Sequence, residues 1–354
     1  IRGEYHAGQK RWWFSCPLWH TGQAVKALLL ASQRLQEPRF LEGAQLGARF
    51  ILNQQVWDPS DPNHGLLLAY EDLDGQVNTS AIMETLDGLM LLADHLASPP
   101  MWQRVAAAGQ FLLERLYVPE QGVFLDHYCP AQRRAVQTPF ATKGGVVGRP
   151  LLEDAVLLKL YDHTGQDAFL QAHLKVSERL VADQNPPGNW VDYWPCHAGQ
   201  GRFHPRQTYW WALPLIETYR RTGQARFLET AIASGRFCRR AMRADGGYIR
   251  GTYADFNTDS FGHETSGSAC AALLFLRLLE VTGDAQWLEP AQRALRFGMR
   301  VQFREPQDKN LRGAVLEKVL PPDGTDRSPY YLRDLGTIFF TLAATRYLEV
   351  VETL

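Results

Sequence analysis

The feature that most constrains this chain is a short phrase, closed by an aromatic residue, that returns along most of its length. It reads Thr164-Gly165-Gln166-Asp167-Ala168-Phe169-Leu170, then Thr222-Gly223-Gln224-Ala225-Arg226-Phe227-Leu228, then Thr282-Gly283-Asp284-Ala285-Gln286-Trp287-Leu288. Leu35-Gln36-Glu37-Pro38-Arg39-Phe40-Leu41 is a degenerate copy, and Trp102 after Ser98-Pro99-Pro100 marks another. The aromatics at 40, 102, 169, 227 and 287 are spaced by 62, 67, 58 and 60 residues. A long fixed period means one supersecondary unit repeated.

The phrase reads as the turn of a helical hairpin. Gly165 follows the apolar run Ala155-Val156-Leu157-Leu158-Lys159-Leu160-Tyr161, where glycine adopts the left-handed C-cap conformation cheaply. Beyond the phrase, Phe227, Leu228, Ala231, Ile232, Gly235 and Phe237 recur at helical spacing. Five phrases join ten helices, the first of them Trp19 to Leu35. Gly336 to Ala344, with Leu348 beyond, supplies one more. The expected fold is therefore all-α, an (α/α)6 toroid in which residues 1–354 form a single domain.

Composition narrows the partners. Apolar residues make up 45% of the chain, enough for a sizeable core, and the net charge of −1 gives no electrostatic case for nucleic acid or a membrane surface. No spanning helix is expected, because no apolar run reaches about eighteen residues. The chain starts at Ile1 without an apolar leader, so a preceding segment is expected to have been removed, with a cytoplasmic or periplasmic location. Five scattered cysteines, at 16, 129, 196, 238 and 270, read as reduced packing thiols. Neither a metal nor an organic cofactor is expected.

The chain has ten Trp and ten His, and many sit in connections or at helix starts. Trp12, Trp19, His20, His127, Trp190, Trp194, His197, Trp210 and His263 stand out, as do Trp13, His64, His204 and Trp211. Aromatic faces stack on sugar rings, and polar groups such as Arg149, Arg206 and Gln207 satisfy hydroxyls. A funnel at one end of the ring, shared with the Trp12–His20 segment, is the expected carbohydrate site. Wedging between helices is the competing role for any single Trp.

Two carboxylates interrupt apolar runs. Asp87 lies within Ala81 to Leu92, and Asp154 within Pro150 to Leu158. A buried carboxylate must be hydrogen-bonded or neutral, and desolvation raises its pKa toward the range useful for proton donation. Asp154 is thus the candidate proton donor and Asp87 its partner. A helix cap is the alternative for Asp154.

From Asp87 to Leu279 the chain resembles the unsaturated glucuronyl and rhamnogalacturonyl hydrolases of the six-hairpin glycosidase superfamily. The resemblance rests on Asp87-Gly88-Leu89-Met90, on Asp154 through Thr164-Gly165, on Arg206-Gln207-Thr208-Tyr209-Trp210-Trp211-Ala212 and on His263-Glu264-Thr265-Ser266-Gly267-Ser268-Ala269. Leu86 stands where the family commonly carries His. The resemblance implies hydration of a C4=C5 double bond at a non-reducing-end sugar acid, with Asp154 donating the proton and Asp87 assisting. Four alternatives stand beside it. They are a sugar epimerase or isomerase using His263, His197 or His20, and a polysaccharide lyase using Tyr193, Tyr209 and Arg206. A zinc toroid like the lantibiotic cyclases would use Cys196, His197 and Cys129, and a glycan-binding protein would need no catalytic group.

Overall fold

The computed structural model describes the chain apart from residues 1–2, 15–16, 71–74, 138–140, 197–201, 251, 254, 259–261, 318–330 and 354. Eleven α-helices are present among the described residues: α1 (Pro17–Leu35), α2 (Pro38–Asn53), α3 (Thr79–His95), α4 (Pro99–Arg115), α5 (Val156–Thr164), α6 (Asp167–Asp183), α7 (Leu213–Thr222), α8 (Ala225–Ala241), α9 (Thr265–Thr282), α10 (Leu288–Arg300) and α11 (Leu335–Val351).

The repeated phrase is the hairpin turn at all five positions. Gly165, Gly223 and Gly283 take φ of 69°, 69° and 67°, and the degenerate copies place Gln36 (55°) and Ala97 (45°) in the same left-handed region. The threonine before each glycine closes the preceding helix: Thr164, Thr222 and Thr282 each donate to the carbonyl four residues back, at 2.7, 2.8 and 2.6 Å. Trp102, Phe169, Phe227 and Trp287 are buried beneath the turns. Phe40 is only half-buried.

The chain divides into two compact units, Ser15–Asp183 and Gln184–Leu354, the second also holding Arg2–Phe14. In the first unit α1 packs on both α2 and α3. The α1–α3 crossing is a backbone contact, since a Cβ on Gly88 would meet the Gly22 carbonyl oxygen at 2.1 Å. In the second unit α9 packs on α10 and α11. Strand Gly3–His6 there pairs antiparallel with both Arg11–Phe14 and Tyr331–Arg333.

Two expectations are corrected. Asp154 does not lie inside a helix. It sits in a 3-10 turn (Glu153–Ala155) with φ 53°, Ala155 also at 53°, and α5 begins only at Val156. In addition, α9 is long and apolar enough, by length and composition, to cross a membrane. It is 72% buried within the protein, and a helix apolar on all sides is also what a core position demands.

Candidate functional site

In the first unit the close α1–α3 crossing sets up a four-charge network. Because Gly22 and Gly88 let the backbones touch, Gln23 and Lys26, one turn on, reach the neighbouring helix. Lys26 Nζ lies 2.6 Å from Asp87 Oδ2 and 2.7 Å from Asp154 Oδ1. Gln23 donates to Asp154 Oδ2 at 2.9 Å and to the Glu84 carbonyl at 2.7 Å. From α5, Lys159 pairs with the other oxygen of Asp87. Asp87 is fully buried, while the Lys159 side chain is 38% exposed and forms the solvent edge. Burial pushes the Asp87 carboxyl up, but the Lys159 and Lys26 charges hold it down at about 2. The expected raised pKa is thus corrected at Asp87: the burial is present, and the two ammonium groups outweigh it.

Beside this network stands a carboxyl of the opposite character. Glu153 is 1% exposed and its Oε1 accepts from Ser80 Oγ at 2.7 Å, whereas Oε2 is buried without a hydrogen-bond partner. Burial pushes its pKa to about 7; the Ser80 hydrogen bond and Arg149 oppose the shift, and Asp154 adds to it. Arg149 is paired with the buried Asp126. His127 meets Asn78 at 3.3 Å and burial lowers its pKa to about 4.

The second unit builds a separate cluster where α9 starts. Glu264, its N-cap residue, has Oε1 3.4 Å from His204 Nε2, 3.4 Å from Arg206 Nε and 4.0 Å from an Arg250 amino group. His204 Nδ1 accepts the Arg206 backbone N–H at 3.2 Å, which assigns the remaining proton to Nε2, facing Glu264. Burial, then Arg250 and Arg206, keep this imidazole neutral. Glu317 accepts from Ser266 N–H (2.7 Å) and Ser266 Oγ (2.5 Å), and burial together with Glu264 raises its pKa to about 7. Arg206 stacks over the Trp210 ring at 5.0 Å, and the His204 ring lies 5.0 Å from that of Trp210.

The sequence-derived candidates distribute as follows. Asp87 and Asp154 share Lys26, and Arg206 and Trp210 share the Glu264 cluster. Trp190 is completely buried against Trp211, and Gln207 is buried, donating to Gly188 and Ser234. His263 faces Asp245 at 3.3 Å and Phe297. Trp19 and His20 are buried edge-to-face in the first unit. Trp12 is half-buried and donates to Asn310, and Trp194 is half-buried. His197 lies outside the described residues, among which no group of three or more His, Cys, Asp or Glu could hold a metal ion. Lys26, Lys159, Arg250 and Glu317 escaped the sequence reading. Lone cations inside Ala24-Val25-Lys26-Ala27 and Leu157-Leu158-Lys159-Leu160 were the available signal for the first two.

No family model and no curated protein matches the chain. Solved structures do. A cellobiose 2-epimerase from Bacillus thermoamylovorans superposes with TM-score 0.72 at 10% identity, covering 97% of this chain and 92% of its own. An unsaturated glucuronyl hydrolase specific for heparin gives 0.70 at 12% identity, covering 100% and 92%. A D-mannose isomerase gives 0.69 at 12% identity, covering 99% and 88%. At such identities the likeness carries the fold alone, and that fold is an all-α (α/α)6 toroid.

Proposed function

We propose that this six-hairpin chain is a carbohydrate-active enzyme, and that it is a glycoside hydrolase acting on oligosaccharides with an unsaturated uronic acid at the non-reducing end. The observation that carries the reading is the adjacent pair Glu153 and Asp154. Glu153 holds a proton up to about pH 7, and Asp154 receives an ammonium and an amide. A carboxyl that keeps its proton to near neutral pH can serve as acid beside a neighbouring carboxyl that serves as base. In this scheme Glu153 delivers its proton to C4 of the C4=C5 bond. Asp154 takes a proton from the water that adds to C5, and the hemiketal opens to a ketone with release of the aglycone sugar. Asp87 holds Lys26 in place. The proton-donor role expected for Asp154 passes to its neighbour Glu153, which burial raises to about 7, while Asp154 is held by Lys26 and Gln23.

Lyase-generated unsaturated oligosaccharides supply the test, followed by loss of the double-bond absorbance. Turnover by the wild type, lost about a hundredfold or more in Asp154→Asn without loss of fold, supports the reading. An Asp154→Asn variant that keeps its rate but melts several degrees lower makes Asp154 a structural residue.

A second reading, sugar epimerase or isomerase, is favoured by the His204–Glu264 contact. There Glu264 would abstract the proton beside the sugar carbonyl, His204 would orient it, and Arg206 and Arg250 would neutralise the enediolate. Incubation with D-mannose or cellobiose in deuterated water discriminates: deuterium at C2 supports this reading, and its absence with turnover of unsaturated substrates supports the first.

A further inference from the structure

The second unit carries a belt of arginines that neither reading uses. Residues 236–245 and 284–300 contain seven arginines (236, 239, 240, 243, 293, 296 and 300) and three carboxylates (Asp245, Asp284 and Glu289), with no lysine. The sixty-residue repeat places Arg236 and Arg296 at equivalent positions, and likewise Arg240 and Arg300. All are exposed except the half-buried Arg293.

The two stretches are neighbours. A Cβ on Gly235 would touch Trp287 at 3.0 Å, Arg239 reaches Gln286 at 3.4 Å, and Arg293 donates to the Arg243 and Ala244 carbonyls at 2.9 and 3.3 Å. The end of α8 therefore lies against the 3-10 turn Ala285–Trp287 that precedes α10, and the loop after α8 lies against α10, which brings the two arginine-bearing stretches side by side.

Elsewhere several arginines are matched with carboxylates, Arg277 with Glu217 and Glu280, Arg346 with Glu280 and Glu349, Arg333 with Glu4, while Arg104 is held by Gln55 and the Leu52 carbonyl. Within the belt, among the described residues, only Arg293 has a carboxylate at ion-pair distance, Glu289 at 3.5 Å. Arg296 bonds Gln292, Arg300 bonds the Asp245 carbonyl, and Arg240 lies over Phe237 and Phe256. The Asp284 carboxyl is held below its usual range chiefly by hydrogen bonds from the Gln286 backbone and side chain, with smaller contributions from the nearby Arg236 and Arg239 charges. The belt keeps four positive charges in excess on a chain whose net charge is −1.

We propose that this arginine belt on α8 and α10 is a docking surface for a uronate-bearing polysaccharide chain. The proposal rests on the uronic-acid reading above and extends it from the reacting sugar to the polymer that carries it. Guanidinium forks grip carboxylates two oxygens at a time, and a row of them follows a chain that repeats its charge. Nucleic acid is disfavoured, because the belt offers no row of exposed aromatics on which bases could stack.

The probe is polygalacturonate, with single-stranded DNA of similar charge beside it, in affinity electrophoresis at about 50 and about 200 mM salt. The comparison protein is Arg236→Gln/Arg239→Gln/Arg243→Gln/Arg296→Gln, checked by its melting curve, with Arg236→Gln/Arg296→Gln as the milder variant. The expected result is retardation by polygalacturonate at low salt, weakened at least tenfold by the quadruple change and partly by the double. Unchanged retardation of the quadruple variant, no retardation of the wild type, or tighter binding to DNA would overturn the proposal. Binding is read without turnover, so a belt that binds polymer in a protein inert on unsaturated sugars sinks the hydrolase reading and leaves the belt standing.

Discussion

Lys26 touches two carboxylates at once, and with Lys159 it holds Asp87 down at about 2. Lys26→Met would leave Asp154 without its ammonium and Asp87 with Lys159 alone. Removing one partner of a buried ion pair costs about 3–5 kcal/mol, so the denaturation midpoint should fall sharply, and Asp87→Asn placed on top should recover part of it. The buried acids act with opposite signs. Asp87 is depressed to about 2, so its contribution is complete above about pH 4 and is lost only as pH falls toward 2. Glu153 and Glu317 are raised from 4.5 to about 7, so the folded state holds protons that the unfolded state has released. Stability should therefore decline as pH rises from about 4.5 to about 7, by roughly a few kcal/mol at most. Denaturant midpoints across that range check the sign, and Glu153→Gln should flatten the slope. Asp87 and Asp154 were legible in the sequence as carboxylates in apolar surroundings. Their shared cation was not, because Lys26 lies 61 positions from Asp87 and 128 from Asp154, and the Gly22–Gly88 crossing brings it near.

At the level of elements, the hairpin turns were readable because their physics is local. A threonine that back-bonds its helix and a residue with φ near 60° recur whatever packs on them. The entry to α5 was not readable. The apolar run through Leu151, Leu152 and Val156 suits a helix, yet tertiary contacts hold Asp154 and Ala155 in the left-handed region. Glu153 is held by Ser80 and Asp154 by Lys26 and Gln23, which offset the strain of about 1–3 kcal/mol per residue. Two glycine substitutions separate local from tertiary control. Gly165→Ala faces open space and only the positive φ opposes it, so it should cost about 1 kcal/mol. Gly88→Ala meets backbone on both Gly22 and Lys26, where nothing can swing aside, and should cost at least about 3 kcal/mol and weaken the Lys26 pairings. Equal midpoint shifts for the two variants would refute this account of the α1–α3 crossing.

For the molecule as a whole, the near-zero net charge conceals an uneven distribution: the arginine belt carries an excess of four and the rest of the chain the opposing balance of −5. A reading from net charge alone misses such a surface, because attraction depends on local potential within about a Debye length. The fold itself was legible end to end through its period, but the way the chain's start is used was not. Residues 2–14 precede α1 in sequence and yet belong with the unit that begins at Gln184. Glu4 pairs with Arg333 at 2.6 Å, the Gly3 N–H donates to Asp334, and Tyr5 bonds Asp308. Strand Gly3–His6 lies between its two partners and is closed on both edges. Deleting residues 2–14 should therefore expose strand Tyr331–Arg333 and loosen the start of α11, which Asp334 precedes. Hydrogen exchange read by mass spectrometry should show faster exchange over 308–317 and 331–345, while α3 and α4 in the first unit keep their protection. If α3 and α4 lose protection to the same extent as α11, the N-terminal strand supports the entire chain, and its assignment to the second unit alone is wrong.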